Sequence, residues 1–416
     1  MTENAKVLSV TCAAGAAFAA APVVYGVIRN SLPKPITDAD RLRIENGRFF
    51  TDGGKPAILH GMNLNDELFF CKRNSEKVNE TVEEIYSGFA KRFGAYGART
   101  LINEYNNALI SDADLKYIKK LGANCVRIPV RWYLIFRKHD CKSKPMLERI
   151  DALVEKCRKL GLYVILDLHS APNGVFESGK EGFEARNAVV RIWSQLAAHY
   201  KNDPAVAAFD ILNRPLNKVA DAEGKLEILH KLYARVFKAV RNIDESRILI
   251  MEAAGYADSL PEAEKYKNSG VAFGLYSHFH TTFETEAMLK DIKRMKDGGI
   301  PFVVCKIRSD ENWNYSLGKL CDAGVSWLAG DYKGEAGMCR LYKGETEYAD
   351  LDNESYDELT AKWKSAPLTK NYTEGKELAK TFRTYFAFGE PAEKEKTVKP
   401  EFKVRFGFNI IKGVKK

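Results

Sequence analysis

Residues 146–169, MLERIDALVEKCRKLGLYVILDLH, decide the fold. Apolar residues at helical spacing run to Gly161, where a helix is expected to end. The chain then turns at once into YVILDLH (163–169), a near-continuous apolar run of strand length. Such a strand has both faces buried, as in a parallel sheet covered by helices. The same alternation recurs on both sides. Strands are expected at AILHGMN (57–63), ANCVRIPV (123–130), AAFDILN (207–213), RILIMEA (247–253), VAFGLYSHF (271–279), FVVCKI (302–307) and VSWLAG (325–330). Helical stretches such as SDADLKYIKKLG and NAVVRIWSQLAAHY lie between them. Ser111 and Asp112 offer an N-cap for the first, and Gly122 falls at its end. Eight such units predict an α/β fold of the (β/α)8 TIM-barrel type. Ahead of them, RLRIENGRFFTDGGKPAIL reads as a small N-terminal hairpin, two alternating runs about a Gly-rich turn.

Three regions follow. Residues 36–385 form the barrel domain, 1–35 an apolar segment and linker marked by Pro33 and Pro35, and 386–416 a C-terminal arm. Val7 to Ile28 is uncharged, and as a helix its 22 residues would span about 33 Å, enough for a hydrocarbon core. It is Ala-rich and only weakly apolar. Gly15 and Ala19 suit close packing against other membrane helices. A single retained anchor helix is expected; the alternative is a secretory signal cleaved near Ala17-Phe18-Ala19. Arg29, Lys34, Arg41 and Arg43 outnumber Lys6, which places the large domain on the negatively poised side. A mitochondrial or other organellar membrane is compatible with this, as is secretion under the signal reading. The arm begins charged and then alternates Phe402, Val404, Phe406, Phe408 and Ile410, fit to dock as an added strand.

The net charge of +9 is spread over 64 basic and 55 acidic residues, without a compact basic cluster interleaved with aromatics, so no nucleic-acid partner is expected. The eight cysteines form no CxxC pair, which favours a reducing compartment and gives no metal-site spacing. Cys71 and Cys141 both fall in expected loops and have the option of pairing. No cofactor is expected.

In a barrel of this kind the site is built at the C-terminal strand ends. Those ends carry Asn63, Arg127, Asp167 and His169, Asn213 and Arg214, His278 and His280, and Lys306. Taken with LHGMN, NCVRIPVRW, VILDLHSAPNG and ILNRPLN, this set resembles glycoside hydrolase family 5, the cellulase family, over roughly residues 42–335. The resemblance places the family's site arginine at Arg127 and its site histidine at His169. The fourth strand of the family ends in Asn-Glu-Pro, here Asn213-Arg214-Pro215. The nucleophilic Glu of its seventh strand aligns with Lys306, a Tyr of its sixth with His280, and its platform Trp with Gly330. The resemblance therefore implies a degenerate member, catalytic residues none, with a vestigial cleft of Arg127, His169, Asn213, His278 and His280.

The chemistry explains why. Retaining glycosidases need two carboxyl groups about 5–5.5 Å apart. Arg keeps its proton at neutral pH, and a charged Lys is no nucleophile and opposes an oxocarbenium-like transition state. Two cations about 5 Å apart repel by roughly 3 kcal/mol at an effective dielectric near 20, so acids, solvent or a bound anion must relieve Arg214 and Lys306. The expected function is a catalytically inactive barrel, anchored in a membrane as a structural or accessory subunit among other membrane-complex subunits. Four alternatives are kept: a carbohydrate-binding pseudoenzyme with Trp132, Trp313 and Trp327 as platforms; a β-glucanase-type hydrolase with relocated acids such as Asp66 or Glu67; a Lys306 amine with a lowered pKa acting as nucleophile; and a metal held by His278 and His280 with Asp167 or His169. A glycan or an anionic ligand is the small-molecule partner the cleft suggests.

Overall fold

The computed structural model describes residues 33–387 apart from 65–67, 69, 75, 78–79, 139, 217–222, 280, 310–311, 336–339 and 346; the side chains of residues 223, 278, 279 and 309 are also outside the described set. The expected anchor helix and nearly all of the C-terminal arm lie outside the described residues. Among the described residues no helix is long and apolar enough to cross a membrane.

Eight parallel strands close into a barrel in chain order. They are His60–Asn63, Cys125–Arg131, Tyr163–Ser170, Val206–Asp210, Ile248–Glu252, Val271–Phe279, Phe302–Ser309 and Ser326–Ala329. Each falls on an expected run. The fourth is shorter than its run, because the chain leaves the sheet after Asp210. Ile211, Leu212 and Asn213 already belong to the loop, and Arg214 and Leu216 take left-handed backbone angles, φ 45° and 60°. The exit is fixed by the Trp193 indole N–H, which donates to the Ile211 carbonyl at 3.0 Å.

Helix boundaries follow the expected chemistry. Ser111 caps Asp112–Lys120, its hydroxyl and backbone N–H both donating to the Asp114 carboxylate. Gly161 ends Glu148–Leu160 at φ 66°, where a Cβ would lie 2.5 Å from the Lys34 carbonyl oxygen. A helix not foreseen, Val82–Leu109, joins the first two barrel strands and is broken at Gly94. Its Phe89 and Tyr105 pack edge-on against Trp363 of Tyr356–Ser365, at 5.3 and 5.4 Å between centroids.

The expected hairpin is a three-stranded antiparallel sheet, Leu42–Glu45, Arg48–Thr51 and Pro56–Ala57. Asn46-Gly47 turns the first pair with both residues at positive φ, the geometry that continues strand twist. Leu42 and Phe49 join Ile165, Ile250, Val303 and Leu328 in one buried cluster, so this sheet closes the N-terminal end of the barrel. With the bottom plugged by apolar residues, the polar side chains of the strands gather at the opposite end.

Candidate active-site cleft

Arg127, on the second barrel strand, is fully buried at the centre of that end. Its guanidinium reaches one carboxylate on each of the next three strands: Asp167 at 2.9 Å, Asp210 at 2.8 Å and Glu252 at 2.9 Å. It also donates to the amide oxygens of Asn63 and Asn213, each at 3.1 Å. Burial works against the Arg127 charge, but the three carboxylates hold it protonated. One cation cannot neutralise three acids. Burial and the neighbouring Glu252 push Asp210 far above the carboxylate range. His169 bonds to Asp167 through Nδ1 at 2.5 Å and lies 3.5 Å from the Asn213 amide through Nε2. The structure thus brings Asn63, Arg127, Asp167, His169 and Asn213 together, with Arg127 paired to Asp167.

Arg214 and Lys306, the two cations at the positions the resemblance assigns to acids, are stabilised separately. Lys306 is paired with Asp331 at 2.5 Å; Arg308 pairs with the same carboxylate, and Arg340 Nε stands 4.0 Å away. Asp331 is fully buried, which alone would raise its pKa, yet Lys306, Arg308 and Arg340 hold it well below the usual carboxylate range. Lys306 therefore lies in an ion-pair network and not alone in an apolar strand, which removes the basis for a free nucleophilic amine. Its stem lies along Gly330. A Cβ at Gly330 would sit 2.6 Å from Lys306 Cε and 2.7 Å from Cγ. Arg214 stacks on the Tyr276 ring, Cζ 3.9 Å from the centroid, and its backbone N–H donates to Glu252 Oε2 at 2.7 Å.

Several expectations are corrected. Trp132, Trp313 and Trp327 are all buried and offer no sugar platform. Trp327 faces away from the barrel interior, stacked between His60 and Phe386 at 4.7 and 5.2 Å. Cys71 and Cys141 are both buried and no disulfide joins them. The backbone of His278 is on the sixth barrel strand, but its side chain, and all of His280, lie outside the described residues. Among the described residues the group best placed for a metal is Asp210, Glu252 and Cys305, with ligand atoms within 4.8 Å of one another. It fits an ion poorly: Arg127 already occupies the carboxylates, and burial drives the Cys305 thiol well up, away from thiolate.

Sequence reasoning passed over Asp210, Glu252, Asp331 and Tyr276. The first two were visible as single acids inside the apolar runs AAFDILN and RILIMEA, an anomaly that calls for a buried cation. Asp331 follows its strand directly and carries no such signal.

The profile of the cellulase family, glycosyl hydrolase family 5, matches residues 73–368, and the chain belongs to that family. A beta-xylosidase of Phanerodontia chrysosporium is 26% identical over 217 residues, covering 47% of this chain and 44% of that protein. A glucan 1,3-beta-glucosidase of Candida oleophila is 27% identical over 195 residues, 44% of each chain. The chain thus spans less than half the length of these relatives. Thermotoga maritima Cel5A, solved with mannotriose, shares the fold with a TM-score of 0.52 at 15% identity, over 78% of this chain and 97% of that one.

Proposed function

We propose that this family 5 barrel has given up glycoside hydrolysis and serves as a structural or accessory subunit of a membrane assembly. The observation that carries the proposal is the Lys306–Asp331–Arg308 network laid over Gly330. Where the family resemblance calls for a nucleophilic carboxylate, a lysine is anchored by a buried acid, and the space for a platform residue holds its stem. Arg214 stands where the acid–base carboxylate would. The acids that remain nearby, Asp167, Asp210, Glu252 and Asp331, are all buried and engaged, so none is presented to a sugar. The apolar segment Val7–Ile28 supports the membrane role, because its weak hydrophobicity and small residues favour helix neighbours over lipid.

The purified chain is expected to release no product from aryl β-glucosides, aryl β-xylosides, β-1,3-glucan or carboxymethyl cellulose. Extracted from native membranes in mild detergent, it is expected to migrate far above its 46.8 kDa mass. Migration as a clean monomer sinks the accessory role. A second reading, a hydrolase with relocated acids, is favoured by the names of its relatives, which include glucan 1,3-beta-glucosidases and endoglucanases. It would draw on Asp66 or Glu67, outside the described residues. Turnover abolished by Asp66→Asn or Glu67→Gln would establish it.

A further inference from the structure

The cations of the barrel mouth are not equally satisfied. Arg127 has its carboxylates, and Lys306, Arg308 and Arg340 share Asp331. Among the described residues Arg214 makes no ion pair, and its buried Nε has no hydrogen-bond partner. A buried donor left unsatisfied is costly, and more so on a charged group. The backbone that produces this is itself unusual: Arg214 has φ 45°, held by its N–H bond to Glu252. Tyr276 covers one face of the guanidinium, but Arg214 as a whole is half-buried, so what it leaves exposed can meet a carboxylate or phosphate.

Beside it is a cavity of about 300 Å³, with room for a single sugar ring, lined by His169, Asn213, Arg214 and Lys225 and by the apolar Phe176. Glu177, an exposed carboxylate, also lines it and offsets one of the two cations. We propose that Arg214, with Lys225, His169 and Asn213, forms a site for the anionic group of a monosaccharide-sized ligand, a carboxylate or phosphate carried on a sugar ring. The inference rests on the non-hydrolytic reading, in which Arg214 binds and does not catalyse. A neutral sugar could accept a hydrogen bond from the guanidinium but would bring no charge to pair with it. An anionic one supplies the missing counter-charge, with the ring against Phe176 and its hydroxyls beside His169 and Asn213.

The test is calorimetric titration of the full chain in detergent, at low salt and neutral pH, with glucose, glucuronate, glucose 6-phosphate and inorganic phosphate. Glucuronate or glucose 6-phosphate is expected to bind at least about tenfold more tightly than glucose, and the two arms tell carboxylate from phosphate. Arg214→Gln is expected to abolish the preference. Lys225→Gln, a change at the edge of the pocket, is expected to reduce it and serves if Arg214→Gln does not fold. Four results overturn the proposal: no binding of either anionic sugar at millimolar concentration, glucose binding as tightly, inorganic phosphate matching glucose 6-phosphate, or a preference untouched by either variant. Hydrolysis of neutral β-glucans would refute the non-hydrolytic reading while leaving an anionic preference intact, so the two failures are distinguishable.

Discussion

Asp331→Asn keeps the shape of a buried side chain and removes the charge that three cations share. Lys306 is paired at 2.5 Å with its side chain 9% exposed, Arg308 is 25% exposed, and Arg340 stands at 4.0 Å. Removing one partner of a buried pair typically costs about 3–5 kcal/mol, because the other charge is left uncompensated. Here the loss is expected near the middle of that range, since Arg308 and Arg340 can turn partly to solvent while Lys306 cannot. An unfolding entropy of roughly 2.1 cal/mol/K per residue gives about 0.9 kcal/mol/K for 416 residues. A loss of about 4 kcal/mol then lowers Tm by about 5 °C, measurable by calorimetry or circular dichroism. The sign of the pH dependence follows from the depressed Asp331 pKa. Its contribution is complete above the unfolded value near 4 and is lost as pH falls through the folded value. The gap between the native chain and the variant should therefore be widest at neutral pH and narrow from about pH 4 downward. A variant melting within about 1 °C of the native chain at pH 7, or a gap that widens on acidification, would refute the reasoning.

Gly330→Ala places a methyl group 2.6 Å from Lys306 Cε; it should cost about 1–3 kcal/mol by denaturant midpoint, and much less when Lys306 is first changed to Ala. Arg127→Met strips the counter-ion from Asp167 and Glu252, and a loss of about 3–5 kcal/mol, or failure to fold, is expected in the same assay. Burial lowers the His60 pKa to about 4, so the unfolded chain takes up the proton first; stability should fall as pH drops from about 6.5 to 4, and His60→Phe should flatten that limb. The double change Arg214→Glu with Lys306→Glu is expected not to restore hydrolysis of aryl β-glucosides, because each new acid would face an existing one, Glu252 beside position 214 and Asp331 beside 306; turnover by that variant would refute this.

The barrel itself was legible, because its strands are apolar runs of the right length and its helices announce their ends at Ser111 and Gly161. The polar cluster was half legible. Arg127, Asp167, His169 and Asn213 stood at the ends of expected strands, and period-two alternation puts the first three inside. Asp210 and Glu252 obey the same alternation and needed only the question of what an acid does in AAFDILN or RILIMEA. The treatment of Arg214 and Lys306 was not legible. Sequence presented them as a mutually repelling pair. The structure gives one an aromatic face and the other an acid from the next strand's loop, and neither Tyr276 nor Asp331 has a spacing that declares such a partnership. Solvent exposure of Trp132, Trp313 and Trp327 was equally unreadable, since an indole suits a sugar platform and a helix–sheet interface alike.

Lys306, Gly330 and Asp331 form a dependent set. A lysine at 306 needs an acid to stabilise it and room for its stem. Asp331 supplies the first, and the bare backbone of Gly330 supplies the second, since any side chain there would collide with the lysine. An aromatic residue at 330 and the Lys306–Asp331 pair are therefore mutually exclusive. By contrast, the Arg127 cluster makes no use of Lys306, Gly330 or Asp331. It closes the top of the barrel through carboxylates on the third, fourth and fifth strands, while the apolar sheet closes the bottom. The fold is thus secured at both ends by groups outside the altered corner. Under the proposed non-hydrolytic reading, that corner could change without loss of the barrel, and Arg214, which no protein acid among the described residues satisfies, is the position where a ligand has something to supply.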